Sequence, residues 1–146
     1  MRTKQDISFG FVIHDVAKLM RWNFDRQSQG LGLTRAQWSV LAHLKRGDGI
    51  KQKTLAEAMD IKPITLARHI DRLEAEGWVL RQDDTEDRRA KRLYLTPKAT
   101  PMLKSLQKLG AKVRGQAFQG INIEEQARVM EVLLRIRDNL SESGGS

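Results

Sequence analysis

The chain has no cysteine among its 146 residues. That excludes disulfides, thiolate metal sites and any thiol-based sensing of oxidants. It has only three prolines, Pro63, Pro97 and Pro101, so helices can run long and each proline marks a place where one starts. No apolar run approaches the roughly 20 residues that a membrane-spanning helix needs, and the first residues lack the apolar segment of a signal peptide. A cytoplasmic protein with no membrane partner is the expectation. There is no glycine-rich phosphate loop and no G-x-S-x-G, and His14, His43 and His69 fall on separate predicted helices without metal-ligand spacing. We therefore assign no catalytic residue, no metal and no cofactor. Acidic residues are the scarcer charge, 18 against 26 basic, which leaves a formal charge of +8. Such a balance favours a polyanionic partner, although a generic RNA binder would share it.

What is present centres on the stretch from Leu55 to Thr96. Leu55, Ala56 and Met59 recur at helical spacing and the run stops at Asp60-Ile61. Pro63 stands where a second helix begins, and Leu66, Ile70 and Leu73 give that helix one apolar face. Its other face carries Lys62, Ile64, Thr65, Arg68, His69 and Arg72, and Gly77 is placed for a left-handed cap. Two helices joined by a short turn, the second with a basic outer face, form the helix-turn-helix pattern. Two strand-like runs follow, Trp78 to Gln82 and Lys91 to Leu95, around a charged tip from Asp83 to Ala90. A hairpin in that position is a wing, and arginine at its tip suits a narrow A·T-rich minor groove. Asp87 beside Arg89 can hold the guanidinium in one direction.

This segment resembles the DNA-binding lobe of the MarR family of bacterial winged-helix regulators, and within it the SlyA-like group. The resemblance is carried by Leu55-Ala56, by Leu66, Arg68 and the run Asp71-Arg72-Leu73-Glu74, and by Gly77. Asp87-Arg88-Arg89 followed by Leu95-Thr96 completes it. It extends from about Phe9 through the C-terminal helices. It implies a mostly α fold with a small β-hairpin wing: a winged helix-turn-helix lobe over residues 30–96 and a helical dimerisation lobe from residues 6–29 and 97–142, all within one domain of 1–146.

The chain ends fit that plan. Residues 7–29 read as a long helix whose apolar residues, Phe9, Phe11, Val16, Leu19 and Trp22 among them, are too widely spread for a single stripe. It is either an ordinary core helix or one that packs on a partner as well. Thr34 with Gln37 makes a capping box, followed by Trp38, Leu41 and Leu44 on the buried side. Thr96-Pro97 reads as a helix start, with threonine as cap and proline at the first position. Leu103, Leu106, Leu109 and Val113 sustain that helix, and Gly120 ends it. Asn122 with Glu125 caps a last helix, and Ser141 to Ser146 reads as a disordered polar tail.

The resemblance also implies roles. The partner is double-stranded DNA at a pseudo-palindromic operator, read by a homodimer whose two recognition helices lie about one helical turn, roughly 34 Å, apart. Thr65 and Arg68 are expected at base edges, and Lys62 and Arg72 at phosphates. Gln52 or Thr54 would touch the backbone early in the first helix. Arg89 is the expected minor-groove arginine, oriented by Asp87, with Arg88, Lys91 and Arg92 at phosphates. A small aromatic carboxylate is the implied effector, in a cleft whose candidate residues are His14, Arg21 and Trp38. Trp38 as a plain core residue, the winged helix as a protein-docking module, and nonspecific nucleic-acid binding all stay open at this point.

Overall fold

The computed structural model describes residues 7–144. Helix α1 spans Phe9–Ser28 and ends in a single 3-10 turn, Gln29–Leu31, closed by Gly32 in the left-handed region at φ 79°. Helix α2, Arg35–Arg46, starts on the expected capping box: the Gln37 N–H donates to the Thr34 hydroxyl at 3.3 Å, and the Thr34 N–H donates to the Gln37 side chain at 3.0 Å. Helices α3, Gln52–Ala58, and α4, Pro63–Ala75, follow with a tight turn between them. That turn places Asp60, not a glycine, at φ 53°, a conformation aspartate tolerates better than most side chains.

Strands β1, Val79–Asp83, and β2, Lys91–Leu95, pair antiparallel with Val79 opposite Leu95 and Asp83 opposite Lys91. The α2–α3 connection joins this ribbon as a partial third strand. Gly49 N–H donates to Leu93 O at 2.8 Å, Leu93 N–H donates to Ile50 O at 3.0 Å, and Lys51 forms an isolated bridge with Arg92. Leu93, at the centre of β2, is fully buried, with the residues on either side half-buried.

One core unites these middle elements. Val40, Leu41 and Leu44 of α2 meet Leu55 and Ala56 of α3, Leu66, Ile70 and Leu73 of α4, and Val79 and Leu93 of the strands. Each of the larger side chains is worth about 1.5–3 kcal/mol when removed from water, so this cluster is the main source of the lobe's stability. Met102 and Leu103 of α5 pack against the same cluster, which ties the C-terminal helices to the lobe.

The helix start expected at Thr96-Pro97 is displaced. Helix α5 spans Ala99–Ala117, and the chain enters it through turns in which Ala99 N–H donates to Thr96 O and Thr100 N–H to Pro97 O. Thr96 does not cap it, because its hydroxyl donates instead to the carbonyls of Gly77 and Trp78. The hairpin's exit is thereby fastened to the end of α4. Helix α6, Ile123–Gly144, opens on the expected box, with Glu125 N–H donating to Asn122 Oδ1 at 2.8 Å and Asn122 N–H donating to Glu125 Oε1 at 3.3 Å. It continues through Ser141 to Gly144, where a disordered tail was expected; residues 145 and 146, and residue 6 of the proposed N-terminal segment, lie outside the described residues. No helix among the described residues is long and apolar enough to cross a membrane.

Candidate nucleic-acid interface

Helix α4 has the two faces its sequence requires. Lys62 is its extended N-cap residue, and Pro63 at the first position gives up no hydrogen bond. Leu66, Ile70 and Leu73 are fully buried. Lys62, Ile64, Thr65, Arg68 and Arg72 are exposed, and His69 is half-buried. Among the described residues Arg68 and Arg72 have no hydrogen-bond or ion-pair partner, so both guanidiniums are free to meet a ligand.

A strut from the wing fixes the angle of this helix. Arg81, in β1, places Nη1 2.9 Å from Asp71 Oδ1 and donates from Nη2 to the Ala67 carbonyl at 3.3 Å. The Arg81 backbone N–H donates to Glu74 Oε2 at 3.0 Å. Sequence reading had given Arg81 no role.

The wing itself is organised by Asp84, which is almost fully buried although it lies in a charged tip. One carboxylate oxygen accepts from Arg92 Nε; the other accepts from the backbone N–H groups of Glu86 and Asp87, at 3.4 and 3.2 Å. Arg92 also donates from Nη1 to the Gly49 carbonyl at 2.8 Å, clamping the wing to the α2–α3 connection. The Arg92 hydrogen bond is the largest of the causes that hold the Asp84 carboxyl below its ordinary value. Burial opposes it, and the backbone N–H donors of Asp87 and Glu86 add to it. The same bond raises the guanidinium of Arg92 above its ordinary value.

Four basic residues of the wing were expected to face DNA, and the structure divides them. Arg89 stands 97% exposed at the tip and Arg88 is exposed beside it. Arg92, ion-paired to buried Asp84, belongs to the wing's own frame, whereas Lys91 is ion-paired to exposed Asp83 and still lines the groove beside the wing. Asp87 lies beside Arg89: its Oδ1 accepts the Arg89 backbone N–H at 3.0 Å and stands 3.8 Å from Arg89 Nε in a long ion pair.

Between the start of α3 and the wing runs a groove of about 400 Å³. Lys51, Lys53, Gln52 and Thr54 line one side, and Arg89 and Lys91 line the other. Gln52 and Thr54 thus share a groove with the wing-tip arginine, as a phosphate-binding role requires. Sequence reading had missed Lys51 and Lys53, whose signal was the basic run that opens α3.

A second, apolar cavity of about 210 Å³ lies between α1, α2 and α5. Phe24, Trp38, Leu103 and Leu106 form its walls, with Lys45 and Gln107 among the lining residues. The Phe24 and Trp38 rings meet at 4.3 Å between centroids, tilted by 46°. The Trp38 indole N–H is buried with no acceptor among the described residues. The expected grouping of His14, Arg21 and Trp38 does not form. His14 and Arg21, seven residues apart, are exposed on α1 and do not line this cavity.

The chain ends expose what a lone subunit would bury. Phe11 is 73% exposed and Trp22 53%, and α6 exposes Ile123, Met130, Leu134 and Leu140.

A basic-faced second helix, a braced two-stranded wing and two apolar helical ends define a winged-helix regulator. The comparisons agree. The MarR family profile matches residues 33–91. The crystal structure of the transcriptional regulator PA3341 shares 40% identity over 92% of this chain and 99% of that one, with a TM-score of 0.81. MarR itself aligns over 99% of both chains at 25% identity and TM-score 0.87. The transcriptional regulator SlyA aligns over 94% of this chain and 96% of its own at 28% identity and TM-score 0.79. The chain belongs to the MarR family, and with it to the transcriptional regulators rather than the enzymes.

Proposed function

We propose that the chain acts as a homodimer that binds duplex DNA at inverted repeats and is released by a small aromatic carboxylate. The observation that carries the first part is the placement of two exposed arginines: Arg68, which has no partner, on the outer face of α4, and Arg89 at the wing tip, 97% exposed despite a long ion pair to Asp87. A helix in the major groove and a wing arginine in the adjacent minor groove use both at once. Thr65 and Arg68 face base edges, with arginine to guanine the commonest specific pairing. Lys62, Arg72, Arg88, Gln52 and Thr54 neutralise or touch the backbone and set position. Lys51 and Lys53 join them along the basic groove. Arg92 holds the wing, and Lys91 lines the groove beside it.

The exposed apolar faces of α1 and α6 support a dimerisation lobe built from the two chain ends, buried isologously across a two-fold axis. The cavity beside Trp38 supports the effector reading. Its volume of about 210 Å³ lies below the roughly 300–1,000 Å³ of drug-sized sites, which suits a single-ring acid. The ring would pack on Phe24 and Trp38. Lys45, now donating to Gln107 Oε1 at 3.3 Å, and the Trp38 N–H would receive the carboxylate. A ligand there shifts the spacing of the two lobes by its differential affinity for the two arrangements.

The test is a comparison of a duplex selected from a random pool with a scrambled duplex over several salt concentrations. Tight, salt-dependent preference for the selected duplex supports the reading. Equal affinity for both leaves a nonspecific binder, and no binding to either leaves a protein-docking module.

A further inference from the structure

Ile64 is the second residue of α4 and is 63% exposed. Its surroundings make that unusual. The other large aliphatic residues of the helix, Leu66, Ile70 and Leu73, are fully buried, and Thr65, Arg68 and Arg72 on the exposed side are all polar. Ile64 is not among the side chains packed against the core. Outside the two chain ends, the only other exposed large apolar side chain among the described residues is Leu80 in β1, at 44%. The apolar faces of α1 and α6 have a partner subunit to cover them in the reading above. Ile64 lies on the opposite, DNA-facing side of the function, and no fold contact accounts for it.

We infer that Ile64 is a specificity determinant that reads the C5-methyl group of a thymine in the major groove. This rests on the DNA-binding function proposed above and adds to it a base that Arg68 and Thr65 do not supply. The first residues of a recognition helix are the ones that reach base edges. Thymine is the one unmodified base that presents a methyl group there. Isoleucine has no donor or acceptor, so against adenine or cytosine it leaves an amino group dehydrated and unbonded. Its branched Cβ restricts χ1 before binding, so little side-chain freedom is lost on docking.

The position also fixes where the thymine lies. Ile64 and Arg68 are four residues apart on one face of α4, which sets their Cβ atoms about 5–6 Å apart. Stacked base pairs are separated by about 3.4 Å. The thymine therefore falls within about two base pairs of the base that Arg68 contacts.

The experiment uses the full chain and the duplex it selects from a random pool. Each thymine is replaced in turn, in both half-sites, by deoxyuridine, which removes the methyl group and nothing else. One position per half-site should bind roughly four-fold more weakly, the size of one lost buried methyl contact. Ile64→Ala should bind the thymine duplex as weakly as the original chain binds the deoxyuridine duplex, and should no longer distinguish the two. Because the side chain is exposed, that variant keeps its core. Deoxyuridine duplexes that bind as well as thymine duplexes at every position would overturn the inference while leaving the DNA-binding function standing. So would an Ile64→Ala chain that still discriminates at the same position. Failure of the original chain to bind any duplex would remove both.

Discussion

Arg81 and Asp71 join the wing to the recognition helix: Nη1 of the first lies 2.9 Å from Oδ1 of the second, while Nη2 of Arg81 reaches the Ala67 carbonyl. Arg81 is four-fifths buried and Asp71 two-thirds exposed, so the two partners are unequal. Removing Arg81 leaves a part-buried carbonyl without its charged donor and lets α4 tilt against the wing. Arg81→Gln should cost about 1–2 kcal/mol of stability. Asp71→Asn, at the exposed end of the bond, should cost less than about 1 kcal/mol. Urea denaturation of the two variants measures both, and equal losses would mean the Ala67 contact contributes nothing.

Asp84 ties acidity to the integrity of the wing. Its native pKa is depressed, chiefly by the Arg92 hydrogen bond, so its contribution is complete above the unfolded value near 3.9. It is lost as pH falls through the lower native value. The stability difference between the original chain and Asp84→Asn should hold steady from about pH 7 to pH 5 and close only below about pH 4. Denaturation curves at stepped pH check it. A difference that closes above pH 5 would mean the carboxyl is not held by Arg92.

The two exposed arginines, Arg68 and Arg89, should fail in different ways. Arg68→Ala should relax preference at one position of each half-site, with about 1–3 kcal/mol of discrimination lost. Arg89→Ala should weaken binding to almost every duplex, most at A·T-rich flanks, and should reduce the salt dependence by about one unit of slope. Affinity titrations on a panel of single-base variants separate these patterns. Unchanged affinity in Arg89→Ala would remove the wing from the interface.

In the homodimer proposed above, a charge on α6 should take the subunits apart. Leu134 is exposed on the apolar face of α6, and Leu134→Glu would bury an unpaired carboxylate between subunits at a cost of several kcal/mol. The dimer dissociation constant should rise by about 100-fold or more, with loss of preference for inverted repeats. Sedimentation at micromolar concentration reads the mass directly.

Trp38→Phe keeps the ring that packs on Phe24 and removes the orphaned N–H. DNA affinity without effector should change little, whereas release by a single-ring aromatic acid should need at least several-fold more ligand. The same half-release concentration in both chains would exclude the indole N–H from the effector site.

The features legible in the sequence were those set by neighbours along the chain. Thr34 with Gln37 and Asn122 with Glu125 announce their helices within four residues, and Leu66, Ile70 and Leu73 state the buried face of α4. The hairpin was legible for the same reason, but its first strand runs one residue further than expected, so Asp83, expected in the tip, pairs across from Lys91. The bracing was not legible. Arg81 meets Ala67 across 14 residues and Arg92 meets Gly49 across 43, so nothing local marks either arginine as structural rather than DNA-facing. The cavity was hidden for a related reason. Its walls come from three helices, and His14 and Arg21 share a stripe of α1 whose orientation only packing decides. Thr96 looked like a cap because its sequence neighbours suit one, yet its hydroxyl is taken by the carbonyls of Gly77 and Trp78, the second of which also accepts the Thr96 N–H.

Helix α6 has only sparse contacts with the rest of its own subunit. At 22 residues it would extend about 33 Å, and most helical stability in proteins comes from packing of an apolar face. In the homodimer proposed above, its order is borrowed from a second polypeptide, and association and completion of the fold become a single equilibrium. Melting temperature should then climb with protein concentration, and a freshly translated copy would stay unfinished until it met another. On that reading the cell's dose of this polypeptide would govern how much of it is competent, before any small molecule has a say.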